Sequence, residues 1–200
     1  KQAGRILARK YPVEADMVCG VPDSGNDAAQ GYAEESGIPY SAAFIKNKYI
    51  GRSLSNVKNT KRERLLKMRL NVLKSQVRGK RIVIIDDSII HGNTASHIVK
   101  LLREAGAAEV SSPPLKYTCH YGSDFDFEKD MVANIMTEEE IKNFIGADSL
   151  GYISIENMKK IIGKNGIGVC DACFSGVYNG PVPKENFVDK FSKKIEIKKK

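Results

Sequence analysis

The stretch "RIVIIDDSIIHGNTAS", residues 81 to 96, decides the fold class of this chain. Its first residues are rich in β-branched side chains without polar alternation, which predicts a parallel strand over 81–86 that is covered on both faces. Two adjacent aspartates end the strand, and a turn containing Gly92 leads into a helical pattern over 94–107. This order of elements indicates an α/β protein with a mainly parallel twisted sheet and helices on both faces, whose ligands bind beyond the carboxyl ends of the strands.

The segments around this stretch predict further strands and helices of the same domain. Residues 46–80 have no clean strand pattern, although "KRERLLKMRLNVL" (61–73) has a partly helical composition. Thr137 and Glu140 form a capping-box pattern at the start of a later helix. The remaining expected elements are strands over 17–21, 38–45 and 149–155, helices over 27–37 and 156–163, and a glycine-rich loop over 169–181.

Positive charge is concentrated in two segments of this 200-residue chain, whose net charge is +8. Residues 46–81 carry 13 Lys or Arg with Glu63 as the one acid, and residues 190–200 form a Lys-rich tail. A basic segment beside a polyanion site suits phosphate capture, and it suits nucleic-acid binding equally well. No apolar run approaches the roughly 20 residues that cross a bilayer. The chain starts without Met in an amphipathic helical pattern and lacks a signal peptide, so we expect a fragment of a longer, cytoplasmic protein without membrane contact.

Asp86 and Asp87 bring together the chemistry of a metal site and a sugar site. Carboxylates at a strand end are able to hold Mg²⁺, directly or through its waters, or to accept hydrogen bonds from sugar hydroxyls. Gly92 lets the backbone approach a ligand, and the helix that begins near Thr94 directs free N–H groups at an anion. The alternative is an ordinary strand-to-helix turn in which an aspartate caps the helix.

These residues resemble the phosphoribosyl pyrophosphate (PRPP) signature of type I phosphoribosyltransferases. The signature is four apolar residues, two acids and a Gly-Thr-Thr-like turn, and here it is "IVIIDDSIIHGNT" (82–94). The stretch "GVPDSGNDAAQGYAEESGIPY" (20–40), followed by "IKNKYIGRS" (45–53), is similar to one branch of that family, the amidophosphoribosyltransferases. The resemblance covers residues 3–178 and implies the type I phosphoribosyltransferase fold.

The resemblance also implies a site, with no side chain assigned as nucleophile or general base. Asp23 and Ser24 would contact pyrophosphate and metal after the first strand. The basic segment would fold over PRPP through Lys46, Tyr49 and Arg52. The loop after the strand at 81–86 would bind Mg²⁺ and the ribose diol with Asp86 and Asp87. It would bind the 5-phosphate with Gly92, Asn93 and Thr94.

The implied reaction transfers the phosphoribosyl group of PRPP to ammonia, giving 5-phosphoribosylamine and pyrophosphate, the first committed step of de novo purine biosynthesis. In the full-length enzymes ammonia comes from glutamine through a glutaminase domain, which we expect to lie outside this chain. The resemblance further implies inhibition by purine nucleotides and a homotetramer. The alternative function is a non-enzymatic nucleotide sensor with the same fold that binds RNA or DNA through its basic segments.

The cysteines suggest a second metal centre. Cys170 and Cys173 form a C-x-x-C pair, which in a protein without a secretory signal indicates metal binding or redox chemistry. The candidates are an iron–sulfur cluster, a zinc site and three reduced thiols, and spacing alone favours zinc. Their flanking residues resemble the iron–sulfur amidophosphoribosyltransferases, which implies that Cys119, Cys170 and Cys173 ligate a [4Fe–4S] cluster with a fourth cysteine upstream of this chain. Cys19 is expected in the core.

The sequence also departs from the family pattern at two places. "HGNTA" (91–95) stands where the family has Arg-Gly-Thr-Thr-Ser, so we expect weaker phosphate binding. Between "AAEV" (107–110) and "SSPP" (111–114) several apolar residues of a strand are absent, so we expect a shortened strand. The expected domains are a core over 1–136 with a flexible basic loop at about 46–80, a cluster-binding extension over 137–183 and a tail over 184–200.

Overall fold

The computed structural model describes residues 1–49, 70–105, 108–111, 131–162 and 170–181. In chain order the helices and strands are α1 (Gln2–Lys10), β1 (Met17–Gly20), α2 (Asn26–Ser36), β2 (Phe44–Lys46), β3 (Leu70–Val72), α3 (Lys74–Val77), β4 (Arg81–Ile85), α4 (Asn93–Glu104), β5 (Ala108–Ser111), α5 (Val132–Ile135), α6 (Glu138–Ile145), α7 (Ile155–Ile162) and α8 (Ala172–Ser175). None of the described helices is long and apolar enough to cross a membrane.

A parallel sheet with the strand order β1-β4-β5 lies at the centre of the fold. The register places Gly20 opposite Ile85, and Ile85 opposite Ser111. All three strands therefore reach the same carboxyl edge. The prediction of a buried parallel strand over 81–86 is confirmed, because the apolar residues of β4 are buried on both faces of the sheet. The short β5 still completes this edge, although its register with β4 shifts between Arg81 and Ile84.

Helices cover both faces of the sheet, as the unbroken apolar strands predict. Alternate strand residues point to opposite faces, so each strand contributes to two cores. One core lies under α1 and α2 and contains Leu7, Ala8, Val18, Ala29, Tyr32, Ala33, Val83, Ile85 and Ile153. The other lies under α4 and α6 and includes Met17, Cys19, Ile82, Ile84, Ala95, Ile98, Val99, Leu102, Ile141 and Ile145.

Helices α2 and α4 follow their strands as expected, with small shifts at their ends. Helix α2 ends before Gly37, whose left-handed conformation caps it. Helix α4 ends at Glu104, earlier than predicted, and Gly106 lies outside the described residues. Helix α6 begins with the predicted capping box: Thr137 Oγ1 accepts from the Glu140 N–H at 3.3 Å, and Glu140 Oε2 accepts from the Thr137 N–H at 2.7 Å.

The predicted strand over 38–45 is only partly correct. Pro39 O accepts from the Val18 N–H at 2.9 Å and the Ser41 N–H donates to Val18 O at 3.0 Å, which gives a single parallel bridge beside β1. The chain then leaves the sheet, and β2 pairs antiparallel with β3. Part of the basic segment supplies this partner, so the helical interpretation of residues 61–73 is wrong at Leu70–Val72; residues 61–69 lie outside the described residues.

Two predictions in the C-terminal quarter are wrong. The expected strand over 149–155 is irregular backbone that leads into α7. Its apolar residues fill the core without a neighbouring strand: Tyr152 belongs to one core and Ile153 to the other. The expected glycine-rich loop contains the short helix α8, which ends before Gly176. Because a short apolar run fits a strand and a buried loop equally well, the pattern did not distinguish them.

Candidate active site

The loops after β1 and β4 meet at the carboxyl edge of the sheet. The Val21 N–H donates to Ile85 O at 2.8 Å, so the first loop starts beside the residue that precedes Asp86. Gly25, which precedes α2, lies so near β4 that a Cβ on it would stand 2.2 Å from Ile85 O. No larger residue fits this position without moving the backbone, so the approach of the two loops depends on glycine.

The two aspartates of the second loop have different environments. Asp86 is half-buried and Asp87 is exposed, and the Asp87 N–H donates to Asp86 Oδ1 at 2.9 Å. Burial raises the pKa of Asp86 to about 7 and the Asp87 carboxylate adds to the rise, while the Asp87 N–H opposes it. A carboxylate in this position is stabilised when a cation or a hydroxyl donor arrives, because either one replaces the water that burial removes.

The N-terminus of α4 is open to an anion. Gly92 precedes the helix in the left-handed conformation with φ +71°, and as a glycine this N-cap residue has no side chain with which to cap the helix. Asn93 and Thr94 are exposed, and the first hydrogen bond of the helix runs from the Ser96 N–H to Gly92 O at 2.8 Å. The helix dipole and the uncapped N–H groups of the first turn both favour a negative charge here.

Two residues predicted on the pyrophosphate side are in direct contact. Lys46, the last residue of β2, forms an ion pair with Asp23 in the loop after β1. The Lys46 side chain is 17% exposed and that of Asp23 is 71% exposed. Ser24 is exposed next to Asp23, and the peptide bond between Pro22 and Asp23 is cis. The strand pair of β2 and β3 thus places a largely covered cation against the first loop.

The predicted loop residues are not all brought to the site. Tyr49 is fully exposed, and its N–H donates to Asn47 Oδ1 at 3.0 Å. Arg52 lies outside the described residues. Of the predicted PRPP-binding residues, those in the two loops and Lys46 lie at the carboxyl edge, whereas Tyr49 points into solvent.

The cysteines occupy separate environments. Cys19 is fully buried in β1, as expected, and burial raises the pKa of its thiol to about 12. Cys170 is exposed before α8 and Cys173 is half-buried within it, and Asp171 between them pairs with Lys159 of α7 at 2.6 Å. Cys119 lies outside the described residues, and in the part of the chain that the structure describes no three His, Cys, Asp or Glu side chains group as metal ligands.

The sequence contains His91, His97 and His120, and we expect each to be structural rather than a ligand or a catalytic acid. His91 is half-buried in the turn before α4, and His97 is half-buried on that helix. His120 lies outside the described residues.

Sequence reasoning missed two contributors to this edge of the fold. Gly25 is part of the "PDSGN" loop, and a glycine directly before a helix was a usable signal of close approach. Phe144 of α6 contacts the Gly92 turn from a distant part of the chain. No local pattern reveals that contact, because the spacing of α6 shows only which residues share a helical face.

Comparison with known proteins defines the class of this site. The phosphoribosyl transferase domain family matches residues 3–146, which include both loops and α4. The chain therefore belongs to the phosphoribosyl transferase domain family.

Within that family the chain is similar to amidophosphoribosyltransferases. The enzyme of Mycobacterium tuberculosis is 44% identical over 198 residues, covering 94% of this chain and 38% of that protein. That of Bacillus subtilis is 45% identical over 186 residues, covering 89% of this chain and 39% of that protein. The chain thus spans about two fifths of the length of these relatives.

Solved structures agree with these relatives. The glutamine PRPP amidotransferase from B. subtilis, complexed with ADP and GMP, matches with a TM-score of 0.79 and 41% identity over 93% of this chain and 43% of its own. A structure described as the allosteric regulatory enzyme of purine biosynthesis matches with a TM-score of 0.79 and 41% identity over 92% of this chain and 41% of its own. The expected type I phosphoribosyltransferase fold is confirmed.

Proposed function

We propose that this chain binds PRPP at the carboxyl edge of β1 and β4 and transfers its phosphoribosyl group to ammonia. The observation that carries the proposal is the meeting of two loops, 21–25 and 86–94, through the hydrogen bond from Val21 to Ile85. The loop 21–25 offers a serine hydroxyl, and its aspartate forms an ion pair with the lysine at the end of β2. The loop 86–94 offers two carboxylates and leads into the N-terminus of α4. PRPP carries a polyanion, a diol and a phosphate, which match these groups.

Each group has a distinct role in this proposal. The α4 turn at Gly92, Asn93 and Thr94 binds the 5-phosphate with backbone N–H groups. Asp86 and Asp87 accept hydrogen bonds from the ribose hydroxyls. For the pyrophosphate side we propose Asp23, Ser24 and Lys46, together with Tyr49 and Arg52 of the basic segment, which would have to move over the ligand.

In the reaction the bond between the anomeric carbon and the pyrophosphate oxygen breaks, and its electron pair leaves with pyrophosphate. Ammonia then forms the new C–N bond and loses a proton, which gives 5-phosphoribosylamine. Positive charge develops on the sugar and negative charge on the leaving group, so catalysis rests on positioning and electrostatic stabilisation. Lys46 would serve the leaving group. No side chain is assigned as nucleophile or general base, so the proton lost by ammonia passes to water.

The second loop fits a divalent cation. Asp86 is a half-buried carboxylate whose pKa is raised by burial and by the neighbouring Asp87 carboxylate, and oxygen donors are those that Mg²⁺ prefers. Ser24, Asp86 and Asp87 would hold Mg²⁺, directly or through its waters. A bound Mg²⁺ would neutralise charge on the pyrophosphate group.

Cys119, Cys170 and Cys173 are proposed as ligands of a [4Fe–4S] cluster, with the fourth cysteine outside this chain. Of these three cysteines the structure describes two: Cys170 precedes α8 and Cys173 lies in its first turn, which keeps the two close together. Iron and sulfide analysis tests the assignment. We expect iron in the wild-type protein and its loss in Cys170→Ser, whereas zinc in place of iron would contradict it.

The remaining proposals concern the whole protein. Because the B. subtilis relative is described as complexed with ADP and GMP, we propose purine nucleotides as inhibitors here too. We further propose a glutaminase domain as the source of ammonia, a homotetramer and a cytoplasmic location. The relatives are enzymes by name, which favours the transferase over the nucleic-acid-binding alternative.

The direct test is ammonia-dependent release of pyrophosphate from PRPP in the presence of Mg²⁺. Isothermal calorimetry should show that Asp86→Ala and Asp87→Ala abolish PRPP binding. Glu156→Gln is the control, because that carboxylate lies on the surface of α7 in an ion pair with Lys160. Unchanged PRPP affinity in both aspartate variants would refute the site assignment.

A further inference from the structure

The turn at Gly92 packs against the aromatic ring of Phe144 from α6. A Cβ on Gly92 would stand 2.7 Å from Cε1 and 3.0 Å from Cδ1 of Phe144. The ring thus fills the space beside the turn that any larger residue at position 92 would need. Phe144 is 42% exposed, so only part of its ring is covered by the turn.

Residues before α6 contact the same turn. The Val132 N–H donates to Ile90 O at 2.9 Å, and Val132 Cγ1 stands 3.4 Å from the position of a Cβ on Gly92. Val132 is almost fully buried. The turn between β4 and α4 is therefore held by a backbone hydrogen bond and by two apolar side chains from residues 132–144.

Helix α6 is itself fixed at both ends. Its first turn is closed by the capping box of Thr137 and Glu140. At its other end Arg103 of α4 donates from Nε to Gly146 O at 2.8 Å and from Nη2 to Asp148 Oδ1 at 2.9 Å. Because α6 is tied to the helix that the Gly92 turn begins, Phe144 has a defined place relative to that turn.

We propose that Phe144 is a positioning residue for the phosphate-binding turn. Its ring supports Gly92 in the left-handed conformation from which the N–H groups of Asn93 and Thr94 face the 5-phosphate. This inference rests on the proposed function and adds to it a residue that touches neither PRPP nor metal. A turn that is already held in place loses less conformational entropy when the phosphate binds. The contact with the ring would thereby offset part of the affinity lost with the cation and hydroxyls that "HGNTA" does not supply.

The first test compares substrate affinity with turnover in the full chain. Phe144→Ala should raise KM for PRPP by about tenfold while kcat changes less than about threefold, because the variant alters the turn rather than the reacting groups. Phe144→Leu should recover much of the affinity, since leucine keeps an apolar contact. Ile135→Ala is the control, because Ile135 is an exposed apolar residue of α5 and should leave KM unchanged.

The second test is a double-mutant cycle with Gly92→Ala. That substitution adds both a backbone strain and a collision with Phe144, and Phe144→Ala removes only the collision. We therefore expect Gly92→Ala to reduce PRPP affinity by a larger factor in the wild type than in the Phe144→Ala background. If Gly92→Ala alone fails to fold, the same relief should appear as recovery of soluble protein in the double variant.

The outcomes separate this inference from the function on which it rests. Wild-type protein that binds PRPP, with Phe144→Ala binding equally well, overturns the positioning role alone. Equal effects of Gly92→Ala in both backgrounds also overturn it. Wild-type protein that fails to bind PRPP overturns the proposed function and this inference together.

Discussion

Replacing Asp86 with asparagine should make the protein more stable without ligand while removing its ability to bind one. Asp86 is half-buried, and its Oδ1 accepts a hydrogen bond from the Asp87 N–H at 2.9 Å. Asparagine has nearly the same shape and keeps an oxygen for this bond. The substitution therefore removes the charge and little else, which makes it a direct test of the cost of that charge.

The size of the effect follows from the raised pKa of Asp86. The folded carboxyl titrates at about 7 instead of its ordinary 3.8. Between these two pH values the folded state holds a proton that the unfolded state has released, so the stability of the wild type falls as pH rises. At about 1.4 kcal/mol for each pH unit the cost above pH 7 is at most ~4 kcal/mol, and solvent contact reduces it to about 1–3 kcal/mol.

Urea unfolding at about pH 4, 6 and 8 without divalent cations measures this cost. The Asp86→Asn variant should match the wild type at the lowest pH and exceed it at the highest. Asp87→Asn is the matched comparison: that residue is exposed, and its substitution removes only the smaller contribution of its carboxylate to the Asp86 pKa, so the change in the free energy of unfolding should be clearly smaller than in Asp86→Asn. A stability difference that does not change with pH would refute the reasoning.

Ligand should reverse the order of stability. With Mg²⁺ and PRPP at about 100 times the dissociation constant, binding should add about 2.7 kcal/mol to the wild type. Asp86→Asn should gain nothing, because the neutral amide replaces the proposed metal and diol ligand. Equal stabilisation of both proteins would show that Asp86 is not a ligand of either group.

Three further predictions concern other parts of the fold. Lys46→Ala should weaken pyrophosphate binding about tenfold by calorimetry, because the loss of one charge-assisted contact is worth about 1.5 kcal/mol, and Lys46→Arg should retain part of the affinity. Gly25→Ala should lower the free energy of unfolding by at least about 2 kcal/mol in urea, since its Cβ would stand 2.2 Å from Ile85 O; a smaller loss would contradict the close approach of the loops. In folded protein from which a chelator has removed iron, Cys170 should react with iodoacetamide while the buried thiol of Cys19, whose pKa is about 12, reacts only on unfolding; early modification of Cys19 would contradict its burial.

Several features of the site lower the stability of the ligand-free protein and favour ligand binding. A half-buried carboxylate with a raised pKa and an uncapped helix end are both unfavourable features until a ligand supplies a cation and an anion. Mg²⁺ and PRPP would supply both at once. Such local departures from good packing and capping are expected at functional sites rather than elsewhere in a fold.

The sequence predicted the elements that carry strong local signals. The strand at 81–86, the helix after Asn26 and the capping box at Thr137 are all present, since each has a strong local signal: an unbroken β-branched run, a helical composition that ends at glycine, or a specific cap. The pattern was less informative at 38–45 and 149–155. Both segments are apolar and short, and whether such a run becomes a strand depends on a partner that lies elsewhere in the chain.

The amino-acid sequence by itself determined the class of fold and the chemical groups of the site, because β-branched runs, paired aspartates and glycine turns are local properties. Only the tertiary structure decided how these groups meet. It paired Lys46 with Asp23, gave Asp86 its raised pKa and placed the ring of Phe144 beneath Gly92. Contacts between distant segments and the burial they cause depend on the whole packed chain, so no single stretch of sequence contains them.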